Sequence, residues 1–171
     1  MSLDKRYCQA ALLIVRAGKE KRALSDIRDL IYPYDPSVQI YRTKYSGLLL
    51  LFTNLKRSEI SNILTSVPLP FLIKFIVFDK FIYDFESYEE LVEYIKKVLT
   101  DLKRHKYIIT FKVNLRGKST KALAFIGEIR SCIESLSNLK NNHLLLKRAL
   151  IKVEIIDNFI GLVIEKQQQI T

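Results

Sequence analysis

The chain has 171 residues, 49% hydrophobic and 27% charged, with a net charge of +10 and only five Gly and four Pro. That length buries a sizeable core in one domain or two small ones, and the composition is ordinary for a globular protein and excludes long disordered linkers. No stretch approaches the ~20 consecutive apolar residues of a membrane helix, and the first apolar run, Ala10 to Val15, is too short for a secretory signal. These features predict a soluble cytoplasmic protein with no membrane partner.

Tyr7 to Arg16 reads as a strand, with Ala11 to Val15 as a buried run. Ala17-Gly18 turns the chain. Lys19 to Ile31 has Ala23, Leu24, Ile27, Leu30 and Ile31 at helical spacing, and Pro33 and Pro36 end it. Val38 to Thr43 and Leu48 to Thr53 read as a hairpin around Tyr45-Ser46-Gly47. Ser58 is the predicted cap of a second helix carrying Ile60, Ile63, Leu64 and Val67. Phe71 to Phe81 reads as one strand rich in Phe and Ile. The order βαββαβ is the ferredoxin-like pattern, which supports many functions and names none.

Ser87-Tyr88-Glu89-Glu90 forms a predicted capping box opening a third helix, which runs to about Arg104. Its end carries Lys103, Arg104, His105 and Lys106. Those cations complement the helix dipole, and they also fit a basic surface. Ile108 to Leu115 alternates as a strand, with Phe111, Val113 and Leu115 on one face and Thr110, Lys112 and Asn114 on the other. Arg116-Gly117-Lys118-Ser119-Thr120-Lys121 is a basic turn, with Ser119 or Thr120 as helix cap. Ala122, Ile126, Ile129, Ile133 and Leu136 then recur at helical spacing. No acid occurs from Lys103 to Phe125. A helix N-terminus among cations is a ready phosphate site. Ser137 to Asn142 reads as a loop and Leu144 to Leu146 as a short extended piece. Lys147-Arg148 is a second basic pair. Ala149 to Ile156 alternates again, Asp157-Asn158 turns, Phe159 to Ile164 returns, and a frayed tail follows from Glu165. The expected domains are 1–84 and 85–171.

Between Lys96 and Lys152 there are 14 Lys/Arg against three acids, a local excess of 11 that exceeds the net +10 of the chain. Such concentration favours an anionic partner, nucleic acid above all, although basic surfaces also serve solubility. Cys8 and Cys132 lack metal spacing and read as thiols. His105 and His143 join no catalytic constellation. Nucleotide-binding glycine fingerprints, a nucleophile elbow and a zinc-deaminase signature are all absent, which predicts a non-enzyme with neither cofactor nor metal. Phe71, Phe75, Phe78 and Phe81 read as core, while Tyr41 and Tyr45 fit either base stacking or a solvated hairpin edge.

The order Phe111-Lys112-Val113, Arg116-Gly117-Lys118-Ser119, Phe125-Ile126-Gly127-Glu128-Ile129 and Ile151-Lys152-Val153-Glu154-Ile155 resembles a THUMP domain, here preceded by a ferredoxin-like half. The resemblance implies an α+β fold: a ferredoxin-like βαββαβ half followed by a THUMP-like α/β half. It also implies tRNA binding at the acceptor stem and 3′ end. Among stand-alone members, the chain is similar to the (Tan-type) tRNA acetylation adaptors, where a separate RNA cytidine acetyltransferase makes N4-acetylcytidine in the D-arm. Carried over, Arg116, Lys118, Ser119 and Lys121 fall on the family's basic turn, and Gly127 on a helix glycine suited to close packing. The expected RNA surface comprises these three cations and one hydroxyl with Lys112, Lys103, Arg104, Lys106, Lys147 and Arg148. Around that last pair the sequence NHLLLKRA lacks the Asp and Pro usual in the family, which weakens their assignment. The alternative reading is a basic interaction or structural module of an RNA-processing or ribosomal assembly.

Overall fold

The computed structural model describes residues 7–83, 88–105, 107–117, 120–137 and 147–167. The chain divides into two compact units, 1–80 and 81–171.

The first unit contains β1 (Gln9–Val15), α1 (Glu20–Ile31), β2 (Gln39–Arg42), β3 (Leu48–Thr53), α2 (Arg57–Ser66) and β4 (Leu72–Val77). Its sheet has the order β2-β3-β1-β4 with every pairing antiparallel. Alternation along β1 sends Ala11, Leu13 and Val15 into one core with Ala23, Ile27 and Ile31 of α1 and with Ile60, Ile63 and Leu64 of α2. Two helices therefore cover one face of a four-stranded ferredoxin-like sheet. All six residues of β3 are buried, so its continuous Leu run serves both faces.

Two buried carboxylates hold the loops of this unit. Glu20 accepts hydrogen bonds from the Gly18 N–H, the Ser46 hydroxyl and the Gly47 N–H at 3.1, 3.0 and 2.7 Å. Asp35 accepts from the Ser37 and Thr53 hydroxyls and the Asn54 N–H. These bonds satisfy turn donors that neither helix nor sheet can reach.

The second unit contains β5 (Lys80–Tyr83), α3 (Tyr88–Arg104), β6 (Tyr107–Arg116), α4 (Thr120–Ser137), β7 (Lys147–Ile156) and β8 (Phe159–Gln167). The sheet order is β5-β8-β7-β6. β6 and β7 are parallel and in register over all ten residues, and β7 and β8 form an antiparallel hairpin. Leu91, Ile95 and Leu99 of α3 and Ala122, Phe125 and Ile129 of α4 pack on Ile151, Val153 and Ile155 of β7. Phe125 is fully buried, and truncating it to Ala would cost about 3–5 kcal/mol. Asp157 takes a positive φ of 51° at the β7–β8 turn, as two-residue hairpin turns require.

Several expectations need correction. The strand expected from Phe71 to Phe81 is two strands, β4 and β5, in different sheets. Ser58 is not the cap of α2: the helix starts at Arg57, its cap position is Lys56, and the Glu59 carboxylate reaches back to the Lys56 N–H at 2.6 Å. Gly127 does not mark a close approach, because a Cβ placed there would meet nothing within 4 Å. β8 extends to Gln167, so Glu165 and Lys166 belong to the sheet rather than to a tail. Ser87, His143 and the Leu144–Leu146 segment lie outside the described residues, as do Lys106, Lys118 and Ser119.

Candidate nucleic-acid interface

Of the ten expected RNA-binding residues, the seven that the structure describes do not form one patch. Lys118, Ser119 and Lys106 lie outside the described residues, and the other seven are organised by β6 and its parallel partner β7. A ten-residue strand spans about 30 Å at ~3.3 Å per residue. The cations gather at its two ends, with Lys112 between.

At the C-terminal end of β6, Arg116 is exposed and leads into Gly117, whose φ of 107° turns the chain toward α4. Lys121 is exposed in the first turn of α4, which contains no acid. The Arg116 carbonyl accepts the Asp157 N–H at 3.2 Å, tying the β7–β8 turn to this end. The positive end of the α4 dipole thus lies beside two exposed cations.

At the N-terminal end of β6, Tyr107 pairs in register with Lys147 and Ile108 with Arg148. Arg148 in turn pairs with Gln167, and Ala149 with Lys166. The Lys147 and Lys166 ammonium groups lie 5.8 and 5.9 Å from the Tyr107 ring centroid, within cation–π range. Lys166 also stands 3.6 Å from Asp101, whose other carboxylate oxygen lies 3.3 Å from His105 Nδ1. Lys103 and Arg104 end α3 just before this strand; Arg104 is exposed and Lys103 half-buried.

Lys112 is exposed midway along β6, on the face opposite α3 and α4. On that face Lys152 is neutralised by Glu165 at 2.5 Å, and Asn114 donates to Glu154. By contrast, Lys103, Arg104, Lys112, Arg116, Lys121, Lys147 and Arg148 form no ion pair among the described residues. Unneutralised cations at both ends of one strand make a field suited to a polyanion.

Sequence reasoning missed Lys166. Its signal was available only through register: once Ala149 starts the β7 core face, the hairpin places Lys166 beside it. Tyr41 and Tyr45 are engaged inside their own hairpin, Tyr41 edge-on to Phe52 at 5.8 Å and Tyr45 under Lys44 at 5.4 Å. Neither Cys8 nor Cys132 is in a disulfide. Among the described residues no group of three or more His, Cys, Asp or Glu is placed to hold a metal, and no helix is long and apolar enough to cross a membrane.

No protein-family model and no curated protein matches the sequence. Solved structures do share its fold. They include PH1313 from Pyrococcus horikoshii Ot3, with a TM-score of 0.59 and 16% identity over 94% of this chain and 55% of that one. They also include a 4-thiouridine synthetase solved as an RNA complex with bound ATP, with a TM-score of 0.51 and 11% identity over 94% of this chain and 42% of that one. The chain thus spans about half the length of these structures. At such identities the likeness establishes the fold: α+β, with a ferredoxin-like half followed by a THUMP-like half.

Proposed function

We propose that the protein is a non-catalytic tRNA-binding adaptor. Its cations hold the acceptor stem and 3′ end, and a separate enzyme performs the modification. The acetyltransferase that forms N4-acetylcytidine in the D-arm is the specific partner we favour, on the sequence resemblance to stand-alone acetylation adaptors. The observation that carries the reading is the pair of unneutralised basic clusters at the two ends of β6. The shared fold with a synthetase solved on RNA supports it.

The arrangement suits phosphate positioning rather than base readout. Lys and Arg at strand ends meet a backbone, and RNA shape selects which backbone reaches both ends. Lys147 and Lys166 flank Tyr107, so the N-terminal cluster combines charge with one aromatic ring, as single-stranded ends require. The chemistry is assigned to the partner because the sequence carries no nucleotide-binding or acyl-carrier fingerprint.

A gel shift with total tRNA against duplex DNA of equal charge tests the binding. Preference for tRNA supports the adaptor; equal binding reduces the surface to a general polyanion site and favours the assembly-module alternative. Nucleoside mass spectrometry after incubation with tRNA, acetyl-CoA and ATP tests the division of labour. Acetylcytidine formed by this chain alone would refute it.

A further inference from the structure

The ferredoxin-like sheet ends on β4, and among the described residues nothing pairs with the outer edge of that strand. The edge is irregular. Lys74 pairs with Ile14 and Leu72 with Val15, so Ile73 is the extra residue of a β-bulge. Ile73 is 66% exposed, the most exposed large apolar side chain of the described residues. Beside it lies an open pocket of about 290 Å³, lined by Leu64 of α2, Leu69 of the α2–β4 connection, and Leu72, Ile73, Lys74 and Phe75 of β4. A free strand edge running beside a helix, with an apolar pocket between them, is the arrangement that binds extended peptides by strand addition. Main-chain hydrogen bonds supply affinity and the pocket supplies selectivity.

The charge on this edge states what fits. Lys74 is exposed and forms no ion pair among the described residues. Successive residues of an added strand face opposite ways, so a residue aimed into the pocket has a neighbour on the Lys74 side. An acid there meets Lys74. A second copy of β4 cannot supply one: Leu72 to Val77 contains Lys74 and no acid, and an edge lysine opposes pairing between copies.

We propose that the β4 edge and its pocket take an extended segment of a partner protein, with one apolar side chain in the pocket and an acidic residue next to it at Lys74. The site uses none of the cations assigned to RNA, so it stands or falls separately from the RNA reading.

Random nine-residue peptides displayed on phage and selected on the full chain test this. The expected enrichment is a pattern of one large apolar residue adjacent to Asp or Glu. Ile73→Lys, a change at an exposed position, should weaken the selected peptides at least about tenfold while leaving tRNA binding unchanged. Lys74→Glu should weaken them about two- to fivefold, the range of a cross-strand ion pair. Exchanging the acid of the peptide for Lys should restore binding to that variant. No enrichment, an enriched pattern without acid, or equal binding to Ile73→Lys overturns the proposal. Displacement of the peptides by tRNA overturns it in favour of an RNA surface. A concentration-dependent dimer abolished by Ile73→Lys overturns it in favour of a second copy.

Discussion

Glu20 and Gly47 stand 27 residues apart in sequence and are joined by a 2.7 Å hydrogen bond from the Gly47 N–H to Glu20 Oε1. The same oxygen accepts the Gly18 N–H, so one carboxylate ties the β1–α1 turn to the tip of the β2–β3 hairpin. Gly47 is confined from the other side as well. Its φ is +75°, its carbonyl accepts the Val15 N–H at 2.8 Å, and a Cβ would sit 2.8 Å from the Val15 carbonyl oxygen. Backbone conformation and close approach both require glycine here.

The first prediction concerns acid. Backbone N–H groups, its own first and then those of Gly47 and Gly18, hold the Glu20 carboxyl down to about 2. Burial pushes Asp35 up, but the Ser37 and Thr53 hydroxyls and the Asn54 N–H outweigh it, and its pKa also falls below the usual value. A carboxyl with a depressed folded-state pKa stabilises fully above its unfolded value, 4.5 for Glu, and loses that contribution as pH falls toward 2. Denaturant melts from pH 7 down to pH 2 should show stability falling across this window. Glu20→Gln should be less stable at pH 7 and respond less steeply to acid. An unchanged slope would remove Glu20 from the account.

Two glycines should respond oppositely to alanine. Gly127 lies inside α4, exposed, with open space where a Cβ would go. Gly127→Ala should stabilise by about 0.5–1 kcal/mol through helix propensity. Gly47→Ala should destabilise by at least about 1–2 kcal/mol, the cost of a left-handed conformation with a Cβ, before any overlap with Val15 is counted. Equal and opposite denaturation midpoints relative to the parent are not required; opposite signs are.

Asp35→Ala offers a third check. Thr53 is fully buried, and its hydroxyl and the Asn54 N–H both donate to Asp35. Removing the acceptor leaves them unsatisfied, at roughly 1–3 kcal/mol for each group that water cannot reach. Thr53→Val in the same background should recover part of the loss, because it deletes the stranded hydroxyl. No recovery would mean that the Asn54 bond carries the effect.

Much of this architecture is legible in the residues. The alternation of Phe111 and Val113 and the spacing of Ala122, Ile126 and Ile129 identify a strand and helix because each turns these residues to the core, whereas Leu115, expected on the same strand face, is 38% exposed. The failures share a cause: they depend on contacts that local pattern does not encode. Phe71 to Phe81 is rich in Phe and Ile on both sides of Asp79-Lys80, and a polar pair that short, with neither Gly nor Pro, reads as part of one strand although the sheet changes between Val77 and Lys80. Ser58 has good cap chemistry, yet Glu59 reaching Lys56 starts the helix earlier. Lys166 follows a hydrophobic strand and precedes glutamines, so it reads as a tail until the register with Ala149 is known. The basic residues were found by composition, but their division between two ends of β6 follows only from the parallel pairing of β6 with β7.

That division makes the last prediction. The two clusters stand about 30 Å apart, several times the ~8 Å screening length at physiological salt, so they should act independently. Arg116→Ala with Lys121→Ala removes one end; Lys147→Ala with Arg148→Ala removes the other. Each phosphate contact contributes a slope of about −0.7 to −0.9 in log K against log salt, so each double variant should flatten the slope by roughly one to two units. With whole tRNA the two losses should add. With a short single-stranded 3′-end fragment, which cannot span 30 Å, only one double variant should matter. Lys19→Ala with Lys21→Ala on α1 removes the same charge elsewhere and should change little. Should that control weaken tRNA binding as much as either end, net charge alone would explain the affinity. Should both ends matter equally for the short fragment, the clusters would form one site and the spanning arrangement would be wrong.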